Sequence, residues 1–187
     1  MIFKYISGNK LKHALQKGSF VTKQKKIPII NYAVENNIPT KIIQHQFYHI
    51  SKNINNNYKI ALKLSLFNFD IDIIKNVIEL FVKKDIKILI DAENENLNNI
   101  YNETCNQLMW NYNKNKVNIL KTYQMYRKDS LDLLTHDSIC SINNNYYHGI
   151  KLVRGAYHNE DNNKKKNNDY VLYQNKEDTD LNFNKGI

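Results

Sequence analysis

Five short apolar runs recur along the chain at nearly even spacing, and most of them end in a polar or charged residue. The runs are Ile27–Glu35, Ile60–Ser65, Ile86–Glu93, Val117–Gln124 and Gly149–Tyr157. Nearly continuous apolar runs of this length are typical of parallel strands that are buried on both faces. The steps between successive polar markers are 28, 28, 33 and 27 residues, the markers being Glu35, Lys63, Asp91, Gln124 and Lys151. One strand, one helix and two short loops fill a step of that length, so the pattern predicts consecutive βα units.

Helical spacing of apolar residues appears between the runs. Asp70–Lys84 has acidic residues at its start and lysines at its end, which suits the helix dipole. Asn94–Tyr112 repeats the helical pattern, and Arg127–His136 begins another helix. We also predict helices near 41–54, over Lys176–Ile187, and over Tyr5–Lys17, the last one ended by Gly18. Alternation of strand and helix implies right-handed crossovers and a parallel sheet.

The predicted fold class is α/β, a partial (βα)8 TIM-type barrel with about five of the eight βα units. A complete barrel of this type typically needs ~250 residues, and this chain has 187. We predict one partial barrel domain over residues 1–187, with a low-complexity, disordered segment at 159–169. An α/β barrel places its chemistry at the carboxyl ends of its strands, and this is where the polar markers lie.

The chain is basic, with a formal net charge of +9 and a pI of about 9.3. Affinity for phosphate-bearing partners is one interpretation. The lysines are scattered apart from Lys23–Lys26 and Lys164–Lys166, so solvated surface lysines are the favoured interpretation. Cys105 and Cys140 show neither disulfide nor zinc spacing, and the six histidines show no metal-ligand spacing, so no metal site is predicted. No stretch has membrane-spanning length and no targeting segment is evident.

Several of these segments together resemble the proline dehydrogenases, also called proline oxidases. The most specific is KLVRGAY at Lys151–Tyr157, which is similar to the family's motif on strand five. IDAE at Ile90–Glu93 is similar to the motif on strand three, and ALKLS at Ala61–Ser65 to strand two. INYAVEN at 30–36 and TYQMYRKD at 122–129 resemble strands one and four, and KEDTDLNFNKGI resembles the segment after strand five. Any one motif is weak, whereas five in family order at barrel spacing are strong.

The resemblance implies a flavoenzyme that oxidises L-proline to Δ1-pyrroline-5-carboxylate, with hydride transfer to N5 of FAD. Three residues take the implied catalytic and substrate-binding roles. Lys63 matches a lysine placed against the proline carboxylate, and Asp91 matches an aspartate beside the flavin and the substrate. Tyr157 stacks on the flavin or closes one wall of the proline pocket under the same resemblance.

The cofactor-binding residues implied by the resemblance are Asp91, Gln124, Lys151, Val153, Arg154, Gly155, Ala156 and Tyr157. Lys151 stabilises negative charge on the reduced flavin, at a position where many relatives have Arg, and Arg154 matches a second basic position facing the cofactor. Gln124 offers its amide to the flavin edge, although the flavin-contacting glutamine of bacterial members aligns better with Lys121. Glu35 matches a carboxylate on strand one that supports substrate-binding arginines, which in the family lie beyond the position of residue 187.

Each assignment has a structural alternative. Without the resemblance, an ion pair between Lys63 and Asp91 ranks level with a ligand-binding role for Lys63, because a buried ammonium needs an anion. Asp91 is alternatively the cap of the following helix, a role that Glu93 fits better. Lys151 and Arg154 are alternatively surface ion pairs, and the GAY sequence is alternatively a strand end with a core aromatic.

The resemblance also implies a quinone or another electron acceptor and possible peripheral association with a membrane. It implies a mitochondrial location if the source is eukaryotic, and otherwise a cytoplasmic or membrane-peripheral one. Because the family's last three strands are not in this sequence, we expect this polypeptide alone to have little or no proline oxidase activity. Two alternatives from other classes are a basic nucleic-acid-binding protein and a non-catalytic barrel remnant that acts as an interaction module. Under the leading interpretation we expect no specific nucleic acid as a partner.

Overall fold

A computed structural model of the chain describes residues 7–8, 10–34, 38–158 and 172–187. For Glu95 it describes the backbone but not the side chain. Two predictions therefore lie outside the described residues, namely the role of Glu35 and the disorder of the 159–169 segment. The chain divides into two compact units. One comprises Met1–Leu62 and Leu66–Ile88, and the other comprises Lys63–Ser65 and Leu89–Ile187. The prediction of one domain over residues 1–187 stays a prediction.

The five predicted strands are confirmed, and within the described residues they form one sheet in the order β1-β2-β3-β4-β5. Their bounds are β1 Ile29–Asn31, β2 Lys59–Leu62, β3 Ile88–Ile90, β4 Ile119–Gln124 and β5 Ile150–Val153. The β1–β2 pair and the β4–β5 pair are both parallel. Most strands are shorter than the apolar runs, because the runs continue past the last paired residue into the polar ends that carry the candidate site.

In the first unit, helices pack around a core rich in phenylalanine. The helices are α1 Leu11–Lys23, α2 Thr40–Asn53 and α3 Ile71–Val82. Phe47 of α2 and Phe81 of α3 meet edge to face, with ring centroids 6.2 Å apart, an arrangement favoured between aromatic rings. The Asp70 side chain caps α3 by accepting hydrogen bonds from the backbone N–H groups of Asp72 and Ile73, as the acidic start of this segment predicts.

The predicted end of the first helix at Gly18 is wrong, because α1 continues through Gly18 to Lys23. Gly18 is buried, and a Cβ atom at this position would lie 2.5 Å from Cε1 of Tyr58. The glycine is therefore required for close packing of the helix against the Tyr58 ring, not for helix termination. A glycine costs about 1 kcal/mol within a helix relative to alanine, and here the close packing outweighs that preference.

In the second unit, three α-helices accompany the strand ends, namely α4 Asn98–Tyr112, α5 Ser130–Asn143 and α6 Lys176–Lys185. The start predicted for α4 at Asn94 is four residues too early, because Asn94 is in a loop and residues Glu95–Leu97 form a 3-10 turn. The α6 helix is tied to the extension of β4 by the Asn182 side chain, whose amide donates to the Met125 carbonyl at 2.9 Å.

One fully buried asparagine holds the amino-terminal approach to β4 and β5. The Asn113 side-chain amide donates to the carbonyls of Ile119 and Tyr147, both at 2.9 Å. Its side-chain oxygen accepts from the N–H groups of Asn118 and Ile119, also at 2.9 Å. Buried backbone groups must find partners, and here a single amide satisfies four of them.

Candidate functional site

The candidate site begins at the residues that follow β2 and β3, where a partly exposed lysine meets a buried carboxylate. Lys63 Nζ lies 3.6 Å from Glu93 Oε2, and the two side chains are 41% and 2% exposed. The other carboxylate oxygen of Glu93 accepts the backbone N–H of Ser65 at 3.0 Å. Both carboxylate oxygens of Glu93 therefore face the segment that carries Lys63.

Two sequence-based alternatives are wrong at this point. Lys63 pairs with Glu93, not with Asp91, because the side chain two residues further along the chain reaches it. Glu93 does not cap the following helix, since the N-cap of α4 is Leu97 and has no side-chain hydrogen bond. The carboxylate of Glu93 is instead committed to Ser65 and Lys63.

Tyr157 lies on the same lysine. Lys63 Nζ donates to the Tyr157 hydroxyl at 3.3 Å and lies 5.7 Å from the centre of its ring. Partial burial lowers the pKa of Lys63, but the negative charge of Glu93 and the hydrogen bond to Tyr157 outweigh it, so the pKa is raised above its ordinary value of 10.5. The ammonium therefore stays protonated at neutral pH and acts as a fixed cation.

A second lysine–carboxylate pair joins Asp91, which follows β3, to Lys151 within β5. Lys151 Nζ lies 2.7 Å from Asp91 Oδ1, and the two side chains are 27% and 28% exposed. Both groups are reachable from solvent, so an incoming ligand can compete for them. Lys151 thus forms an ion pair, as the alternative interpretation predicts. Its predicted role in stabilising negative charge on the reduced flavin stays a prediction.

Gln124 links the three strand ends of this unit. Its amide Nε2 donates to the backbone carbonyl of Glu93 at 2.9 Å, and its Oε1 accepts the N–H of Ala156 at 3.4 Å. Gln124 is buried, and both ends of its amide have protein partners. Its predicted contact with the flavin edge stays a prediction, and in the present structure its role is to hold the ends of β3, β4 and β5 together.

The remaining predicted cofactor residues follow one another along the end of β5. Val153 is the last residue of the strand, and its carbonyl accepts the N–H of Met125 at 2.8 Å. Arg154 forms an ion pair with Asp180 of α6 and stacks over the Phe183 ring, with 4.5 Å to the ring centroid. Its guanidinium therefore contacts α6, and its cofactor role stays a prediction.

Gly155 is required by a protein neighbour. Its φ of +123° is strained for any residue with a side chain, and a Cβ atom there would lie 1.8 Å from Cδ1 of Tyr126. In the sequence, the absence of a side chain at Gly155 is compatible with the close approach of a flat ligand. In the structure, that space is occupied by the Tyr126 ring. Whether Gly155 also approaches a flavin stays a prediction.

The basic side chains of this site remain accessible to a ligand. Lys63, Lys151 and Arg154 keep 41%, 27% and 51% of their side chains exposed, so each can approach a ligand. The two lysine–carboxylate pairs each sum to zero formal charge. The site therefore presents cations and anions side by side, which suits a zwitterion better than a simple anion.

A buried polar network that the sequence did not reveal lies between β4 and the helices α4 and α5. Lys121 and Asp137 are fully buried, with Nζ and Oδ2 2.6 Å apart. Asp137 also accepts from Asn106 Nδ2 at 3.0 Å and from the Tyr123 hydroxyl at 2.8 Å. The position that aligns with the bacterial flavin-contacting glutamine is therefore occupied by a lysine that pairs with α5. The sequence signal for this network is Lys121 itself, because a charged residue within an apolar strand indicates a buried partner of opposite charge.

Within the described part of the chain, no helix combines the length and apolar character needed to cross a membrane. Over the same residues, no group of three or more His, Cys, Asp or Glu side chains is arranged to hold a metal ion.

The class of protein that this fold and site define is an α/β protein with charged groups at the carboxyl ends of parallel strands. A crystal structure of proline utilization A from Bdellovibrio bacteriovorus, inactivated by N-propargylglycine, has this fold, with a TM-score of 0.86 and 14% identity. The similarity covers 98% of this chain and 23% of that chain. The predicted α/β fold class is confirmed, and an arrangement as part of a TIM-type barrel is consistent with it.

The sequence model described as proline dehydrogenase matches residues 10–187, and the chain belongs to this family. A relative named proline dehydrogenase 1, mitochondrial, from Caenorhabditis elegans is 35% identical over 82 residues, which are 44% of this chain and 13% of the relative. A hydroxyproline dehydrogenase from Xenopus laevis is 36% identical over 72 residues, 38% of this chain and 16% of the relative. The matched regions thus span less than a fifth of these curated relatives.

Proposed function

We propose that this chain provides part of a site that oxidises L-proline to Δ1-pyrroline-5-carboxylate with FAD, as part of proline catabolism. Membership of the proline dehydrogenase family supports the reaction class. The observation that carries the proposal is the pair of lysine–carboxylate contacts at the strand ends, Lys63–Glu93 and Lys151–Asp91. A zwitterionic amino acid offers one carboxylate and one ammonium, and this site offers both complementary charges.

In the proposed reaction, Lys63 binds the carboxylate of proline. Its raised pKa keeps the ammonium charged, so its role is to bind and orient the substrate, not to remove a proton. Asp91 faces the positive end of the amino acid, and Tyr157 packs beside Lys63 and closes one wall of the pocket. Orientation of this kind contributes to rate because it fixes the reacting geometry before the chemical step.

The redox chemistry of the site would be supplied by bound FAD, as the acceptor of the substrate's hydride. Lys151 would then supply positive charge near the flavin once Asp91 turns to the substrate, with Arg154 as a second cation along the end of β5. Val153, Gly155 and Ala156 supply backbone at that edge, and Gln124 keeps it in place through its bonds to Glu93 and Ala156. The proposal also includes a quinone or another electron acceptor and peripheral contact with a membrane. If the source is eukaryotic, it includes a mitochondrial location, which the name of the C. elegans relative supports.

The test is an anaerobic single-turnover experiment on the 187-residue chain. FAD is added until its absorption and fluorescence stop changing, L-proline follows, and the flavin absorption band is recorded for several hours. We expect saturable FAD binding and a proline-dependent loss of the oxidised flavin band. Saturable FAD binding with no proline-dependent change at any proline concentration would contradict the proposed substrate, and absence of FAD binding would contradict the cofactor. A single turnover over several hours is compatible with little or no proline oxidase activity. That expectation stays a prediction, and robust proline-dependent dye reduction by the FAD-saturated chain would contradict it.

Two variants locate the effect. Lys63→Met should weaken the dependence on proline at least tenfold, because the substrate carboxylate loses its cation, and leave FAD binding within twofold. Lys83→Met is the matched control, since Lys83 is an exposed lysine paired with Glu79 on α3, and it should change neither quantity. A parallel titration with hydroxyproline tests the second candidate substrate, which the X. laevis relative favours.

A further inference from the structure

The Glu93 carboxylate is one of the few buried acidic groups in the described residues, and it lies beneath a lysine that solvent can reach. Its side chain is 2% exposed, whereas that of Lys63 is 41% exposed. One carboxylate oxygen is held by the backbone N–H of Ser65 at 3.0 Å. The backbone carbonyl of Glu93 is held in turn by Gln124 at 2.9 Å. Glu93 is therefore held both at its side-chain carboxylate and at its backbone carbonyl.

Lys63 differs from Glu93 in every one of these respects. A lysine carries a flexible four-carbon stem, and the loss of its rotamer entropy opposes its confinement to one position. Among the described residues, Glu93 and Tyr157 contact its ammonium. The fixed carboxylate supplies the attraction that keeps the ammonium over the site, and the Tyr157 hydroxyl sets its direction.

The Lys63 ammonium keeps hydrogen-bonding capacity for a third group beside Glu93 and Tyr157. The distance from Lys63 Nζ to Glu93 Oε2 is 3.6 Å, which is longer than a hydrogen bond between charged groups. The ammonium has three N–H groups, of which one is used on Tyr157 at 3.3 Å. It can thus donate to an incoming carboxylate without first breaking a tight bond to Glu93.

We propose that Glu93 is a positioning residue that holds the Lys63 ammonium in place for the carboxylate of the substrate. This inference rests on the proposed function for the identity of the ligand, while the link between Glu93 and Lys63 stands on the geometry alone. A resemblance to the IDAE motif directs attention to its aspartate, but the buried contacts belong to its glutamate.

Competitive acetylation of the lysines, read by mass spectrometry after proteolysis, tests the link without flavin or substrate. Only the neutral amine reacts, so the rate at fixed pH reports the ammonium pKa, and each pKa unit changes the rate about tenfold. In Glu93→Gln the neutral amide keeps an oxygen for the Ser65 N–H and removes the charge. We expect Lys63 to be acetylated about three- to tenfold faster at pH 8.5 than in the wild type, and Glu93→Asp to recover part of the difference.

The matched control is Glu79→Gln, which removes the partner of exposed Lys83. Acetylation of Lys83 should change less than twofold, because solvent screens an exposed ion pair. An unchanged Lys63 rate in folded Glu93→Gln would overturn the inference. If Glu93→Gln does not fold, the pH profile of Lys63 acetylation in the wild type decides. An apparent pKa above the ordinary 10.5 supports the inference, and a value at or below it overturns the inference.

A second arm separates this inference from the proposed function. L-proline is added as the probe, and the protection of Lys63 from acetylation is measured in the wild type and in Glu93→Gln. Protection in the wild type that weakens at least threefold in the variant supports both proposals. A Lys63 rate that responds to Glu93 without any protection by proline retains the positioning role and contradicts the substrate. Equal protection in both proteins contradicts the positioning role.

Discussion

Replacement of Lys121 by Met should strongly destabilise the second unit. Lys121 is 0% exposed and Asp137 is 1% exposed, with their charged atoms 2.6 Å apart. Methionine retains most of the apolar stem of lysine and removes the ammonium, so the substitution isolates the effect of the charge. Asp137 would remain buried, with Asn106 and Tyr123 as hydrogen-bond donors. The exposed imidazole of His136 would remain as a basic neighbour, with Nδ1 3.5 Å from Asp137 Oδ1, and it is not a buried ammonium.

The magnitude follows from that geometry. Loss of one member of a buried ion pair costs about 3–5 kcal/mol, because the remaining charge is left uncompensated. The two neutral donors on Asp137 satisfy hydrogen bonds but carry no net charge, so we expect about 4 kcal/mol of lost unfolding free energy at pH 7. For a chain of 187 residues this corresponds to a fall in Tm of roughly 8–16 °C.

The loss should depend on pH in a defined direction. In the wild type, burial raises the pKa of Asp137, but Lys121 and the three hydrogen bonds outweigh it and the net pKa is lowered. A carboxyl group with a lowered pKa in the folded state stabilises the fold above its unfolded pKa, and that stability is lost as the pH falls. In the variant, burial dominates and Asp137 can take up a proton, so the difference between wild type and variant should shrink from pH 7 to pH 5.

Urea unfolding followed by circular dichroism at pH 7 and pH 5 measures these differences. The control is Lys83→Met, which removes the exposed partner of Glu79 and should cost about 0–1 kcal/mol. In Lys121→Met/Asp137→Leu no charge is left buried, so the double variant should be less destabilised than the single one. A loss below about 1 kcal/mol in Lys121→Met at pH 7, or simple additivity in the double variant, would refute the reasoning.

Three further predictions concern other parts of the described chain. Gly155→Ala should lower stability by about 1–3 kcal/mol, because φ is +123° and the new Cβ would meet the Tyr126 ring at 1.8 Å; thermal unfolding measures it, and an unchanged Tm would contradict the packing. Burial lowers the pKa of His148, so the free energy of unfolding of the wild type should fall as the pH drops through about 6.5. In His148→Gln, the free energy of unfolding measured with urea should depend less on pH in this range, and a slope equal to that of the wild type would contradict the prediction. Asp70→Ala should cost about 1 kcal/mol through the lost cap of α3 in the same assay, more than Asp72→Ala does.

The strands were predictable because burial on both faces leaves a direct record in the sequence. Four of the five apolar runs contain the whole strand that the structure shows, and the fifth, Ile60–Ser65, contains all of β2 except Lys59. Gly18 was misread, because a glycine that ends a helix and a glycine that admits a neighbouring ring look identical in sequence. The close approach to Tyr58 depends on a residue 40 positions away, and local propensity carries no trace of it.

The candidate site was predictable in its residue types and less so in its pairings. Lys63, Asp91 and Lys151 lie in the same compact unit, as convergence of strand ends requires. The choice between Asp91 and Glu93 as the partner of Lys63 depends on side-chain direction at the end of β3, where regular alternation no longer applies after the strand stops. The buried partner of Lys121 lies on a helix 16 residues away, beyond the reach of any local pattern.

The side chain of Asn113 has a consequence for every residue at the opposite ends of β4 and β5. It grips the backbone at Ile119, where β4 begins, and at Tyr147, just before β5. Because alternate residues of a strand point to opposite faces, a slip of a single residue would turn Gln124 toward the helices. Hydrogen bonds at the amino-terminal ends of β4 and β5 thus help to determine which side chains face the candidate site at their carboxyl ends.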